Sequence, residues 1–248
     1  AHPKSAIGIP SLAPDEVVRQ LNVSLSRLGQ DSVNLFYLHS PDNNTPLERT
    51  LSACAQLHSE GKFQRLGLSN YAAWQVIDIF HICHRHGWPL PEVYQGMYNV
   101  VTRDVEKELI PCLRHLGISF YAYNPLAGGL LTGRYSNSTA APTSGRFQRF
   151  SGYMPRYWKK SYLEAMEKIG ASIKQVNISM TTGALSWLYH HSKLDSDLGD
   201  AIIIGASTLD QLSANLSACN NGPLEDSLVN VFNAAWQYCQ VDCPVYFR

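Results

Sequence analysis

Stretches with helical spacing of apolar residues alternate with short, continuous apolar runs along most of the chain, and this alternation limits the fold more than any other feature. Between Pro14 and Leu28, the residues Val17, Leu21, Leu25 and Leu28 fall on one helical face, Pro14, Asp15 and Glu16 mark its start and Gly29 its end. The run VNLFYLH, Val33 to His39, follows and reads as a strand buried on both faces, as a parallel sheet requires. The pattern then repeats: helix from Pro46 to Glu60, strand ending at Asn70, helix from Ala72 to His86, strand from Val93, helix from Arg103 to Leu116, strand from Ile118. A long polar insertion precedes a helix around Met180 to His191, the last strand AIIIG (Ala201 to Gly205), and helices near Leu209 to Leu216 and Leu224 to Gln240. Such alternation without a break in composition predicts one α/β domain with a parallel sheet over residues 1–248, and the length fits the (β/α)8 TIM-barrel type. The 248 residues match the length of about 250 typical of that barrel, yet only five strands can be counted. They begin after a helix, as though the chain entered the barrel in mid-cycle. Trp74, Trp187 and Trp236 are expected to cover the barrel from its helices.

Composition narrows the function classes. Twenty Lys and Arg balance twenty Asp and Glu, so no basic field exists to draw nucleic acid or an anionic membrane. A hydrophobic content of 45% with 16% charged residues supports a substantial core. No apolar run reaches the roughly 20 residues that span a bilayer, and AHPKSAIGIP lacks the apolar core of a secretory signal, which makes a cytoplasmic location the expectation. The six cysteines show no CxxC, so reduced thiols are expected; Cys239 and Cys243, four apart, read as packing residues in preference to metal ligands. His81 and His84 likewise read as a solvated helix face, so no metal is expected.

Residues 134–160 lack clear periodicity and form a lid-like insertion, longer than a simple strand-to-helix connection needs. Arg146, Arg149 and Arg156 recur there among Phe147, Phe150, Tyr157 and Trp158, a mixture suited to a phosphate or carboxylate ligand; the competing reading is a surface excursion.

Polar residues collect at the C-terminal ends of the expected strands: His39, Ser69 and Asn70, Gln95, Tyr123 and Asn124, and Ser207 just past AIIIG. Each alone is most simply a strand-end hydrogen bond. Five strands delivering polar ends to the rim that bears sites in such barrels is a constellation.

The segments RLGQDSVNLFYLHSPD, EGKFQRLGLSNY, VYQGMYN, FYAYNPLAGGLLTGRY and IIIGASTLDQLSANL resemble the aldo-keto reductases over essentially the whole chain. The nearest subgroup is the aflatoxin-aldehyde and succinic-semialdehyde reductases, whose Y-F-R ending is matched by Tyr246 to Arg248. The resemblance implies a metal-free, NADP(H)-dependent reduction of small aldehydes or ketones, with a homodimer as the possible assembly. It implies that His39 orients the substrate carbonyl, that Ser69, Asn70 and Gln95 hold the nicotinamide carboxamide, and that Tyr123 stacks on the nicotinamide ring. Asn124, Pro125, Leu126, Gly128 and Leu130 fall in the turn that approaches the pyrophosphate, where Gly128 and Gly129 permit close backbone contact. Ser207, Gln211 and Asn215 match positions around the adenosine 2′-phosphate and adenine, Gln211 replacing an arginine found in many relatives. Arg146 and Arg248 are the expected holders of a substrate carboxylate.

One departure bears on activity. The resemblance begins at Ala1, just after the place of the catalytic lysine on the third strand, so strands 1–3, with their aspartate, tyrosine and lysine, are not among these 248 residues. The tyrosine is the general acid that protonates the carbonyl oxygen, and loss of a positioned acid costs about 10²–10⁴-fold in rate. The expectation is therefore a reductase impaired in this chain. The alternatives are a non-catalytic NADP(H)-binding relative or regulatory partner of a full-length reductase, and an inactive fragment. LFYLH and AIIIG are expected to end the sheet as apolar edges.

Overall fold

The computed structural model describes residues 1–3, 11–135, 142 and 145–248. Helix α1 spans Pro14–Leu28; Pro14 occupies the first turn, where its missing N–H is not needed, and Asp15 and Glu16 complement the positive end of the helix. Gly29, at φ 61°, closes the helix in the left-handed conformation that glycine adopts without penalty. Val17, Leu21 and Leu25 are buried as expected, whereas Leu28, the fourth residue of the stripe, is 60% exposed.

Five strands follow: β1 (Val33–Leu38), β2 (Phe63–Ser69), β3 (Pro91–Met97), β4 (Ser119–Tyr123) and β5 (Ala201–Ile202), in the order β1-β2-β3-β4-β5. Strands β1 and β2, and β2 and β3, pair in parallel. Helices α2 (Leu47–Ser59), α3 (Ala73–His86) and α4 (Leu109–Leu116) connect the first four. The chain forms two compact units, one of Ala1–Gly96, Lys107–Tyr121 and Tyr246–Arg248, the other of Met97–Glu106 and Ala122–Val245.

In the first unit the strand glycines have a packing reason. A Cβ at Gly67 would lie 2.5 Å from Cδ1 of Tyr37, and one at Gly96 would lie 2.4 Å from Cζ of Phe120, so both glycines make room for rings on neighbouring strands. Phe36, Leu38, Phe63, Leu66, Leu68 and Val93 are buried around them.

The second unit contains two short helices, α5 (Arg146–Arg149) and α6 (Tyr153–Tyr157), then α7 (Lys160–Gln175), α8 (Met180–His190), α9 (Leu209–Cys219) and α10 (Asp226–Cys239). Helix α7 packs against α10, and α8 against α9.

Several expectations need correction. Strand β1 is not buried on both faces: of its residues Phe36 and Leu38 are buried, β2 pairs with it on one side, and among the described residues Ala1 hydrogen-bonds to Tyr37 and His39 on the other. The AIIIG strand contracts to Ala201–Ile202, with Ile203 37% exposed. Helix α7 was absent from the expected elements although Tyr162, Ala165, Met166, Ile169 and Ile173 make a buried stripe; the polar composition just before it masked the period. The expected helix from Arg103 divides into a 3-10 turn at Asp104–Glu106 and α4, whose Pro111 sits in the first turn. Trp187 is buried, but Trp74 is 64% exposed and covers no core. Residues 136–141, 143 and 144 of the insertion lie outside the described residues. No helix among the described residues is long and apolar enough to cross a membrane.

Candidate active site

The strand ends of the first unit bring four of the expected residues to one rim. Parallel pairing sets Leu38 beside Leu68 and Ser69 beside Gln95, so His39, Ser69 and Gln95 follow one another across the sheet. Ser69 and Asn70 are buried and Gln95 is half-buried. Asn70 has φ 62°, a left-handed conformation that asparagine tolerates better than most residues. That turn aims its side-chain amide at the neighbouring strand end, where Nδ2 donates to the His39 carbonyl at 2.8 Å and to Ser69 Oγ at 3.0 Å.

His39 is exposed at the rim, its ring 4.7 Å from that of His2. Desolvation holds its pKa well below the ordinary value, and repulsion from His2 and Arg248 acts in the same direction. At neutral pH the ring is therefore uncharged, with one N–H to donate and almost no imidazolium to serve as a proton source. Arg248 reaches the same region: its backbone N–H donates to the Asn70 carbonyl at 3.0 Å.

The second unit holds the remaining expected residues. Tyr123 ends β4, and Asn124 follows it at φ 59°. The carbonyl of Asn124 accepts from Asn99 Nδ2 at 3.0 Å, and its side chain accepts from the Tyr153 hydroxyl at 3.1 Å and donates to that of Tyr157 at 3.4 Å. From Ala127 to Thr132 the chain makes a kinked 3-10 turn in which Ala127, Gly128 and Gly129 all have positive φ, at 49°, 70° and 106°. Pro125 and Leu130 are buried and Leu126 is half-buried, so the turn is anchored on its inner side. The close approach that glycine allows is made at Gly128 by a side chain of this unit: a Cβ there would lie 2.5 Å from Cδ1 of Tyr153. At Gly129 the nearest atom to such a Cβ is Cε2 of Tyr135, at 3.9 Å, and the approach is open.

The described part of the insertion folds over this turn as α5 and α6. Phe147 and Tyr157 are buried within a cluster of edge-to-face rings that includes Tyr135 and Trp158. Exposed Arg146 donates to the Tyr153 hydroxyl at 3.3 Å and lies over the rings of Phe150 and Tyr153 at 5.7 and 5.5 Å. Tyr153 thus joins Arg146, Gly128 and Asn124, and only its position among recurring aromatics hinted at this from the sequence.

At the start of α9, Thr208 caps the helix by accepting from the Gln211 N–H at 3.2 Å. Gln211 Oε1 accepts from both the N–H and the hydroxyl of Ser207, at 3.1 and 2.9 Å, which fixes the exposed Ser207 against the helix. Buried Asn215 donates to the Gly205 carbonyl at 3.4 Å. The three residues therefore form one constellation at a helix N-terminus, a favourable setting for an anion.

No group of three or more His, Cys, Asp or Glu residues suited to a metal occurs among the described residues. Burial pushes the thiols of Cys239 and Cys243 up, to about 12 and about 11. A groove of about 1230 Å³ runs along α1 and α2, lined by Arg19, Arg27, Arg49 and Trp88 among others, and includes none of the residues above.

Residues 8–237 match the model of the aldo/keto reductase family. Among curated proteins, the chain is 52% identical over 247 residues to aflatoxin B1 aldehyde reductase member 2 of Rattus norvegicus, covering 96% of this chain and 67% of the relative. It is 51% identical over 247 residues to aldo-keto reductase family 7 member A3 of Homo sapiens, covering 96% and 75%. A fungal aldo-keto reductase of Pseudocercospora fijiensis is 42% identical over 231 residues, covering 92% and 78%.

Proposed function

Because this chain belongs to the aldo/keto reductase family, we propose that it binds NADP(H) for the reduction of small aldehydes or ketones to alcohols, each unit carrying polar residues suited to the cofactor. The observation that carries the reading is the rim of the first unit, where Ser69 and Gln95 are register partners and Asn70 is locked in a left-handed turn beside them. Two side-chain amides and a hydroxyl are the donors and acceptors that a carboxamide needs.

The second unit, taken by itself, also offers groups suited to a dinucleotide. Tyr123 is the half-buried aromatic for a stacked ring, the Asn124–Leu130 turn offers backbone with an open side at Gly129, and the Ser207–Gln211–Asn215 constellation at the start of α9 suits a phosphate. Gln211 brings no positive charge, so selection of the 2′-phosphate rests on hydrogen bonding. When bound, the cofactor supplies the hydride.

Neutral His39 orients the substrate carbonyl by donating its N–H, and its low pKa suits it to this role more than to proton delivery. The tyrosine acid and its lysine and aspartate partners are not among the 248 residues, so this chain alone is expected to bind the cofactor and turn over slowly. Arg146 and Arg248 are the proposed carboxylate holders; the exposed guanidinium of Arg146 and the closeness of Arg248 to His39 support that role.

The test is a fluorescence titration of the chain with NADPH, repeated with Tyr123→Ala, beside an absorbance assay with NADPH and an aromatic aldehyde. Saturable binding weakened at least about tenfold in the variant, a loss of about 1.4 kcal/mol, is the expected result. Equal affinity in both proteins rejects the stacked pose, and no binding rejects the cofactor site. Turnover at the rate of an intact reductase rejects the expected impairment.

A further inference from the structure

The C-terminal tail makes contacts that the reductase reading leaves unused. Tyr246 is buried, and its hydroxyl sits between the starts of two helices, accepting the Ala73 N–H at 3.1 Å and donating to Glu108 Oε1 at 2.5 Å. Helix α3 begins after Ala72, which has no side-chain oxygen to cap it, so the tail satisfies one of its free donors. Glu108 is the residue that precedes α4. Two residues beyond Tyr246, the Arg248 N–H holds the carbonyl of Asn70, whose side chain in turn holds the carbonyl of His39. This line of contacts runs from two helix N-termini to the rim histidine within the first unit.

We infer that Tyr246 is a positioning residue, which clamps the C-terminal tail across the starts of α3 and α4 so that Arg248 braces the left-handed turn at Asn70 and sets the surroundings of His39. The geometry leaves little slack. The tail has one residue between its clamp and its brace, and two residues separate Asn70, where the brace lands, from Ala73, where the clamp lands. If the hydroxyl is lost, a neutral N–H and a carboxylate lose their shared partner, and the tail is free to leave Asn70. Desolvation, and among the described residues the side chains of His2 and Arg248, positive or able to become so, disfavour protonation of His39. Of these, Arg248 is the one whose place depends on the clamp. The consequence for catalysis rests on the reading of His39 as the carbonyl-orienting group; the clamp itself does not.

The experiment is NMR on the isotope-labelled 248-residue chain, following the His39 ring signal against pH and hydrogen exchange at the Arg248 amide. Tyr246→Phe keeps the ring that packs 5.1 Å from Phe247 and removes only the hydroxyl. It is expected to speed exchange at Arg248 about tenfold or more and to raise the His39 midpoint by about half a pH unit. Arg248→Gln is expected to raise the midpoint while leaving the amide protected, because its bond to Asn70 is made by backbone. A Tyr246→Phe chain in which either signal stays at its wild-type value overturns the inference. If that variant does not fold, Glu108→Ala removes the other half of the clamp and is read by the same two signals. Neither signal requires bound cofactor, so failure of NADPH binding would count against the reductase reading alone.

Discussion

The guanidinium of Arg103 lies 3.9 Å from the ring centroid of Trp187, both side chains being buried in the second unit. Nε donates to the Val100 carbonyl at 2.8 Å, Nη1 to Asn233 Oδ1 at 2.8 Å and Nη2 to the Phe232 carbonyl at 3.1 Å. Burial lowers its pKa to about 10, which still leaves it charged at neutral pH, so the ring face and three oxygens replace its water. The sequence carries no signal for this pairing, since Arg103, Trp187 and Asn233 lie far apart in the chain.

Removing that cation should loosen the loop after β3 from α10. Arg103→Met keeps the stem and strands the acceptors, and a loss of about 2–4 kcal/mol in unfolding free energy is expected. Urea unfolding followed by tryptophan fluorescence reads it; a loss below about 1 kcal/mol would show that the cluster carries little of the stability.

At Gly128, substitution meets two obstacles. The φ of 70° costs an alanine roughly 1 kcal/mol, and the Tyr153 ring occupies the place of its Cβ. Gly128→Ala should therefore destabilise by more than the backbone penalty alone, and combining it with Tyr153→Ala should recover the excess. A double-mutant cycle with a coupling energy near zero would contradict the packed geometry.

Asn70 separates conformation from chemistry. Asn70→Gly retains the left-handed turn and loses only the stability of the amide's hydrogen bonds to His39 and Ser69, whereas Asn70→Ala should lose about 1–2 kcal/mol more by adding the strain of φ 62°. Both lose the amide, so both should weaken NADPH binding. Equal melting temperatures for the two variants would count against strain at this turn.

Asp42 contributes a pH dependence. Desolvation acts to raise its pKa, but hydrogen bonds from the Leu12 N–H at 2.7 Å, the Thr45 hydroxyl at 2.7 Å and the Asn44 N–H at 2.9 Å outweigh it, and the net shift is downward. The folded form thus holds the proton less tightly than the unfolded one. Its stabilisation is complete above the unfolded pKa of about 4 and disappears as pH falls through the folded value. Asp42→Asn should lower the urea midpoint at pH 7 and converge on the parent as acid protonates the folded carboxylate. A difference that persists unchanged into acid would rule out the carboxylate as its source.

From α1 to β4 the order of helices and strands was legible because each amphipathic segment carries its own period and punctuation, Gly29, Gly87 and Gly117 ending α1, α3 and α4 where a left-handed residue is required, whereas α7 was not. The rim residues His39, Ser69, Asn70 and Gln95 were legible for the same reason, since strand ends can be counted and a parallel register brings them side by side. The insertion was not, because its folding depends on Phe147, Tyr153 and Tyr157 finding one another and the turn at Gly128 in space.

Local periodicity and turn chemistry are short-range properties, written in neighbouring residues, and they suffice for an α/β chain with parallel pairing and polar strand ends. Burial of charge and the bracing of a loop depend on groups distant in the chain. The Arg103 cation is held by residues 84 and 130 positions away, and Asn70 is braced by the final residue of the chain. Those relationships exist only after packing has excluded water from them, when a polar group must take whichever partner the fold has brought within reach.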